Sequence, residues 1–217
     1  MSRPLLITDC DEVLLHMVRH MSSWLDEAHA IDFRPAGGFF SKAARRQSDG
    51  TVLADSEMWA LLGGFFETEM DRQTLVPHAA EALARIAEIA DVVVLTNLGD
   101  DCRARRIDQL ARFGIQHRVV CNDMGAKGAP VARLVAEYRP SVTVFVDDLE
   151  MHHAAVAKAA PEVFRLHMIA EPDIAAQVPP APDAHARIDD WEEAVLWVLA
   201  RFDGVPLAAR TEMENEQ

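Results

Sequence analysis

The sequence predicts an α/β fold, a doubly wound parallel (Rossmann-like) sheet with a small helical cap inserted after the first strand. Three observations predict it. Short apolar runs alternate with helix-period segments over residues 76–202, the order that builds a parallel sheet with helices on both faces. The runs are continuously apolar rather than alternating, as in strands buried on both sides. The first run is separated from the rest by residues 16–75, which break the rhythm. At 217 residues the chain is long enough for one large domain or a core with an insert.

In chain order, Pro4 to Thr8 is the first buried strand. The insert then offers a helix-like stretch from Met17 to Ala30, a middle containing Gly and Arg, and a second helix-like stretch from Asp55 to Met70. An insert at this point belongs above the C-terminal strand ends, where such sheets bind ligands. Phe39, Phe40, Trp59, Phe65 and Phe66 are candidates for its own small core. Leu83, Ile86, Ala87 and Ala90 recur at helical spacing, followed by a strand from Val92 to Thr96 and another from Arg118 to Cys121. Pro130 suits a first helical position, and Val131, Leu134, Val135 and Tyr138 form the apolar stripe behind it. Strands follow at Val142 to Val146 and Val163 to Ile169. Glu171 to Arg187, with four prolines, reads as a loop or linker. Asp190 with Glu193 makes a capping box for a helix whose stripe is Trp191, Val195, Val198, Leu199 and Phe202. Glu212 to Gln217 reads as a frayed tail. The expected division is a core of 1–15 and 76–202, a cap of 16–75 and a tail of 203–217.

Composition narrows the function. Lysine and arginine number 21 against 35 acidic residues, a formal charge of −14, and the longest basic group is Arg103, Arg105, Arg106. That lacks the cationic footprint a nucleic-acid backbone requires. Cys10, Cys102 and Cys121 fit no CxxC spacing and cannot all pair, which favours a reducing compartment and gives no thiolate zinc site. No apolar run approaches the roughly 18 residues of a membrane span. The expectation is a soluble cytoplasmic protein; its oligomeric state is not legible.

The chemistry concentrates at strand ends. Asp9 and Asp11 follow the first strand, and Asp147 and Asp148 end the strand Val142 to Val146. Carboxylates leaving buried strands need a cation or a proton beside them. Hard oxygen donors of this kind suit Mg²⁺, which usually shares its shell with a substrate phosphate. Either acidic pair alone also fits a turn or a helix cap. Thr96 and Asn97 end the strand Val92 to Thr96 with a hydroxyl and an amide able to bind a phosphate oxygen. Lys127, in the glycine-flanked loop Gly125-Ala126-Lys127-Gly128, can reach over the same edge. His16, His20, Cys102, Cys121, His152 and His153 read as structural or surface residues, and Lys42, Arg45 and Arg46 as a solvated face.

The order of these pieces resembles the haloacid dehalogenase-like hydrolase superfamily over residues 4 to about 170. Leu5-Leu6-Ile7-Thr8-Asp9-Cys10-Asp11-Glu12-Val13 is similar to its first motif, Thr96 to its second, Lys127 to its third, and Asp147-Asp148 to its fourth. The helical cap falls where residues 16–75 lie, and Val76 to Leu83 resembles the re-entry into the core. Two departures stand out. Glu12 occupies a position often held by glycine, adding charge or capping the next segment, and the fourth motif has adjacent acids.

The resemblance implies a phosphomonoester hydrolase acting on a small phosphorylated metabolite. Asp9 is then the nucleophile forming an aspartyl-phosphate, and Asp11 the general acid/base. Thr96, Asn97 and Lys127 bind and stabilise the phosphoryl group. Mg²⁺ is held by Asp9, the Asp11 backbone carbonyl and Asp148, with Asp147 orienting water or Lys127. Asp11 favours phosphatase over dehalogenase, because a halide leaves without a proton. A phosphonate-cleaving branch needs a cap lysine, for which Lys42 is the candidate. Phosphoryl transfer to another alcohol shares the same motifs, and a non-catalytic binding or scaffold protein on this fold is the alternative of a different class. A receiver-like phosphoacceptor does not suit the long insert.

Overall fold

The structure, a computed structural model, describes residues 2–35 and 42–207. The candidates Phe39 and Phe40 and the tail Glu212 to Gln217 lie outside the described residues. Ten strands and eight α-helices are labelled in chain order. They are β1 (Leu5–Thr8), β2 (Leu15–His16), α1 (Val18–His29), β3 (Ile31–Phe33), β4 (Ala44–Arg46), α2 (Asp55–Thr68), β5 (Thr74–Leu75), α3 (Ala79–Ala87) and β6 (Asp91–Thr96). Then follow α4 (Arg103–Arg112), β7 (Arg118–Cys121), α5 (Gly128–Tyr138), β8 (Thr143–Asp147), α6 (Glu150–Ala159), β9 (Phe164–His167), α7 (Pro172–Ala175), β10 (Ala186–Arg187) and α8 (Trp191–Phe202).

Six strands form one parallel sheet in the order β10-β9-β8-β1-β6-β7. The chain winds outward from β1 through β6 to β7, then returns to β8 on the other side of β1. The strand order therefore reverses between β1 and β8, where ligands bind in open α/β sheets. Period-two alternation divides the apolar strand residues between two cores. Leu6, Val92, Val94, Val144 and Val146 pack with α3 and α8, while Leu5, Ile7, Val93, Leu95 and Phe145 pack with α5 and α6. Both faces are covered, which is why most strand positions are apolar on either side; β9, with Arg165 and His167 on one face, is the exception.

A third apolar cluster sits in the insert: Met21, Trp24, Leu25, Ile31, Phe33, Met58, Leu62 and Phe65, joined by Ile169 and Ile174 from beyond β9. Of the aromatic candidates, Phe65 is fully buried, Phe66 packs partly against the cluster, and Trp59 is exposed. The insert meets the sheet domain through the antiparallel pair β2–β5, with Leu15 opposite Leu75 and His16 opposite Thr74.

Four local expectations need correction. The insert is not wholly helical, because Ile31–Phe33 pairs antiparallel with Ala44–Arg46; three-residue strands are too short to show a period. Glu171 to Arg187 is not simply a loop: Pro172–Ala175 forms a helical turn and Ala186–Arg187 an edge strand beside β9. Pro130 is the third residue of α5, still within the first turn where a missing N–H is harmless. Of the capping box at Asp190, the half that forms is its carboxylate accepting from the Glu193 N–H at 2.9 Å. No helix among the described residues is long and apolar enough to cross a membrane.

Candidate active site

The side chain just past the C-terminal end of β1 and the one that closes β8 carry the same parity as Ile7 and Phe145, on the α5–α6 face. These are Asp9 and Asp147, and Lys127 reaches both from the residue before α5. Its Nζ lies 2.6 Å from Asp9 Oδ1 and 2.7 Å from Asp147 Oδ2, with the lysine only 1% exposed. The helix can start so close because residue 128 is glycine: a Cβ there would stand 2.4 Å from the carbonyl oxygen of Ala155 in α6. Lys127 is thus a buried ionic bridge rather than a solvated loop residue.

Asp147 is fully buried and its other oxygen accepts the Leu149 N–H at 2.9 Å. Asp148 stands beside it, and Asp9, Asp147 and Asp148 each place one carboxylate oxygen within 4.8 Å of the others. Three ionised carboxylates against one ammonium would leave the site net negative, which opposes their ionising together. Burial pushes Asp9 up to about 7 against the pull of Lys127, helped by the neighbouring Asp147 and Asp11 charges. Burial, Asp147 and Asp9 hold Asp148 well above the ordinary carboxylate range. Asp147 is the exception: burial opposes its ionisation most, but the Lys127 charge and hydrogen bond together with the neighbouring His152 and His153 keep its pKa low. A divalent cation among these oxygens would let all three acids ionise together, and an all-oxygen donor set fits an ion such as Mg²⁺.

Asp11 faces a different group. Its Oδ1 accepts from Gln73 Nε2 at 2.7 Å and from Arg106 Nη2 at 2.9 Å, and Oδ2 takes Arg106 Nη2 at 3.1 Å and the Thr96 hydroxyl at 3.5 Å. Its side chain is not among the three converging carboxylates. Thr96 is fully buried, and its Oγ1 also accepts the Leu98 N–H at 3.4 Å. Asn97 is turned to a network of its own, accepting from Asn122 Nδ2 at 3.0 Å and lying 3.1 Å from His152 Nε2. The structure therefore brings together Asp9, Asp147, Asp148 and Lys127, places Asp11 with Thr96 next to them, and ties the Asn97 amide elsewhere.

Glu12 caps the following segment. Its φ is +62°, and Oε1 accepts from Met17 N at 2.7 Å and Val18 N at 2.6 Å, satisfying N–H groups at the start of α1. His153 Nε2 meets the Asp147 carbonyl at 3.0 Å and His167 Nε2 meets that of Asp148 at 2.9 Å, so buried histidines brace the acidic pair from behind. Lys42 and Arg45 are exposed.

Two participants escaped the sequence reading, Arg106 and Gln73. Arg106 is fully buried and donates to Asp11 and to Cys10 Sγ. What distinguishes it is the structure, in which Arg106, Gln109 and Leu110 form the buried stripe of α4. A polar residue on the inward face of a crossover helix must find a buried partner.

With this geometry in place, three solved structures give the comparison. A haloacid dehalogenase-like hydrolase from Streptococcus pneumoniae superposes with a TM-score of 0.60 at 11% identity, over 89% of this chain and 97% of its own. A predicted phosphoglycolate phosphatase from Haemophilus somnus gives 0.58 at 18% identity, over 89% and 97%. A haloacid dehalogenase superfamily hydrolase of subfamily IA from Geobacter sulfurreducens gives 0.55 at 14% identity, over 90% and 96%. This chain has the haloacid dehalogenase-like hydrolase fold. No family model and no curated protein matches the sequence, so the likeness lies in the haloacid dehalogenase-like architecture.

Proposed function

We propose that the protein is a divalent-metal-dependent phosphomonoester hydrolase acting on a small phosphorylated metabolite. One observation carries this reading: a buried Lys127 joins Asp9 to Asp147, beside Asp148, at the reversal point of a haloacid dehalogenase-like sheet. The phosphatase and hydrolase descriptions of the structural neighbours are consistent with it.

Asp9 attacks phosphorus to form an aspartyl-phosphate, dividing one hard displacement into two easier ones. Lys127 favours the anionic form of Asp9 against the effect of burial and offers positive charge next to the incoming phosphoryl oxygens. Asp11, fixed by Arg106 and Gln73, manages the proton of the leaving oxygen and then that of the hydrolytic water. Thr96 donates its hydroxyl to the phosphoryl group after releasing Asp11, and Asn97 contributes once its side chain leaves Asn122. Asp9, the Asp11 carbonyl and Asp148 would hold Mg²⁺, which would supply neutralisation of phosphate charge, with Asp147 fixing Lys127. Residues 16–75 act as the cap that excludes water and selects the substrate, over a core of 1–15 and 76–202.

The test is phosphate release from an aryl phosphate and a panel of phosphorylated metabolites, with and without Mg²⁺, for the unaltered protein and Asp9→Asn. Turnover that requires both the metal and Asp9 supports the reading. Silence from folded, Mg²⁺-supplied protein across the panel overturns it in favour of a binding role.

A further inference from the structure

Glu12, His16 and Glu171 form a second polar cluster, apart from the three aspartates, at the crossing between sheet and insert. Glu12 is 3% exposed and His16 5%. Glu12 Oε1 is used in capping α1, but Oε2 is buried with no hydrogen-bond partner among the described residues, and the same holds for His16 Nδ1. An unmade hydrogen bond at a buried polar atom leaves its desolvation uncompensated. Two such atoms on residues of one cluster therefore point to something that satisfies both.

The spacing says what. His16 Nδ1 stands 3.7 Å from Glu171 Oε2, too far for a hydrogen bond. Two donors each about 2.1 Å from one ion lie up to about 4.2 Å apart, so the same separation suits a shared metal. One donor atom from each of Glu12, His16 and Glu171 lies within 4.8 Å of the other two. Arg19 grips Glu171 from outside, Nε to Oε2 at 2.6 Å and Nη2 to Oε1 at 2.9 Å, fixing the carboxylate and leaving it lone pairs to offer. Two carboxylates, one arginine and a neutral imidazole leave the pocket negative. The imidazole sets it apart from the all-oxygen aspartate cluster, since nitrogen donors suit zinc and neighbouring transition metals better than Mg²⁺.

We propose that Glu12, His16 and Glu171 form a second divalent-cation site, preferring an ion that accepts nitrogen, such as Zn²⁺, over Mg²⁺. Its position assigns it a structural role. His16 lies in β2, the strand that leads into the insert, and Glu171 precedes α7, whose Ile174 packs in the insert's core. The Glu12 carbonyl already accepts the Ala170 N–H at 2.8 Å. An ion shared by the three side chains would cross-link β2 to α7 and stiffen the attachment of the insert.

The test uses full-length Asp148→Asn protein, which weakens the aspartate cluster, dialysed against Zn²⁺ in excess Mg²⁺, with bound zinc counted per chain. One equivalent is expected in this background. It should be lost on adding His16→Ala, and separately on adding Glu171→Gln, which keeps the side-chain shape if the alanine variant fails to fold. Absence of zinc from the Asp148→Asn protein, or its retention in the folded Glu171→Gln variant, overturns the site. Co²⁺ substitution gives a second readout: bands of nitrogen and oxygen ligation are expected, and a thiolate charge-transfer band would assign the ion to cysteine and reject the proposal.

Discussion

Lys127 is the residue on which the acidic site depends most. It is buried, and it separates two buried carboxylates whose charges would otherwise face each other. Removing one partner of such a group leaves uncompensated charge, so Lys127→Ala is expected to lower stability by about 3–5 kcal/mol, measured by urea unfolding. It should also abolish phosphate release. A variant as stable as the parent would show that the acids are already neutral. Asp9, Asp11, Asp147 and Asp148 were legible because two apolar runs each end in a pair of acids. Arg106 was not, because a short run of arginines looks the same whether solvated or buried; only the inward face of α4 distinguishes them. Asn97, a residue of suitable chemistry at the right strand end, has its amide bound to Asn122, a contact no local stretch of sequence announces.

His167 carries a pH dependence that can be signed. Its Nδ1 accepts the Ala181 N–H at 2.9 Å and its Nε2 donates to the Asp148 carbonyl, a pattern that requires the neutral ring. Burial, then Arg187, lowers its pKa from 6.5 to about 4. Between those values the unfolded chain binds more protons than the folded one, so this contribution is full above about pH 6.5 and is lost as pH falls toward 4. Denaturation followed from pH 7 to pH 4 should show a shallower stability loss for His167→Gln than for the parent; equal slopes would remove His167 from the account.

At the scale of elements, α5 and α6 pack against one sheet face through a close backbone approach that glycine permits. Gly128→Ala would force a Cβ against the Ala155 carbonyl and displace the start of α5, from which Lys127 projects. A destabilisation of about 1–3 kcal/mol is expected. Phosphate release should fall with it, in contrast to Asp190→Ala, which removes the cap of α8. That change should cost about 1 kcal/mol by thermal or urea unfolding and leave turnover unaltered. The helices were legible because α3, α5 and α8 each repeat an apolar stripe. The pair β3–β4 and the edge strand β10 were not, since strands of two or three residues acquire their identity from a partner distant in sequence.

For the whole molecule, a cation held by the cluster of Asp9, Asp147 and Asp148 would link metal to stability. A ligand that binds only the folded state raises the melting temperature by mass action. Mg²⁺ at millimolar concentration is therefore expected to raise it for the parent and to have little effect on Asp148→Asn, read by differential scanning fluorimetry. An equal rise in both would place the ion elsewhere.

The sequence by itself determined the parallel sheet and the acids at the strand ends. These follow from local periodicity and from the rule that a charge cannot end a buried strand without reason. Only the tertiary structure decided which of those groups touch. Lys127 lies 20 residues from Asp147 and 118 from Asp9 along the chain, yet bridges both. Asp11 found Arg106 and Gln73 rather than the aspartate cluster, and Glu12, His16 and Glu171 met at the crossing into the insert. The reason is physical: a buried charge selects its partner by desolvation and distance, and distance across a sheet is fixed by strand order, which no local stretch of sequence contains.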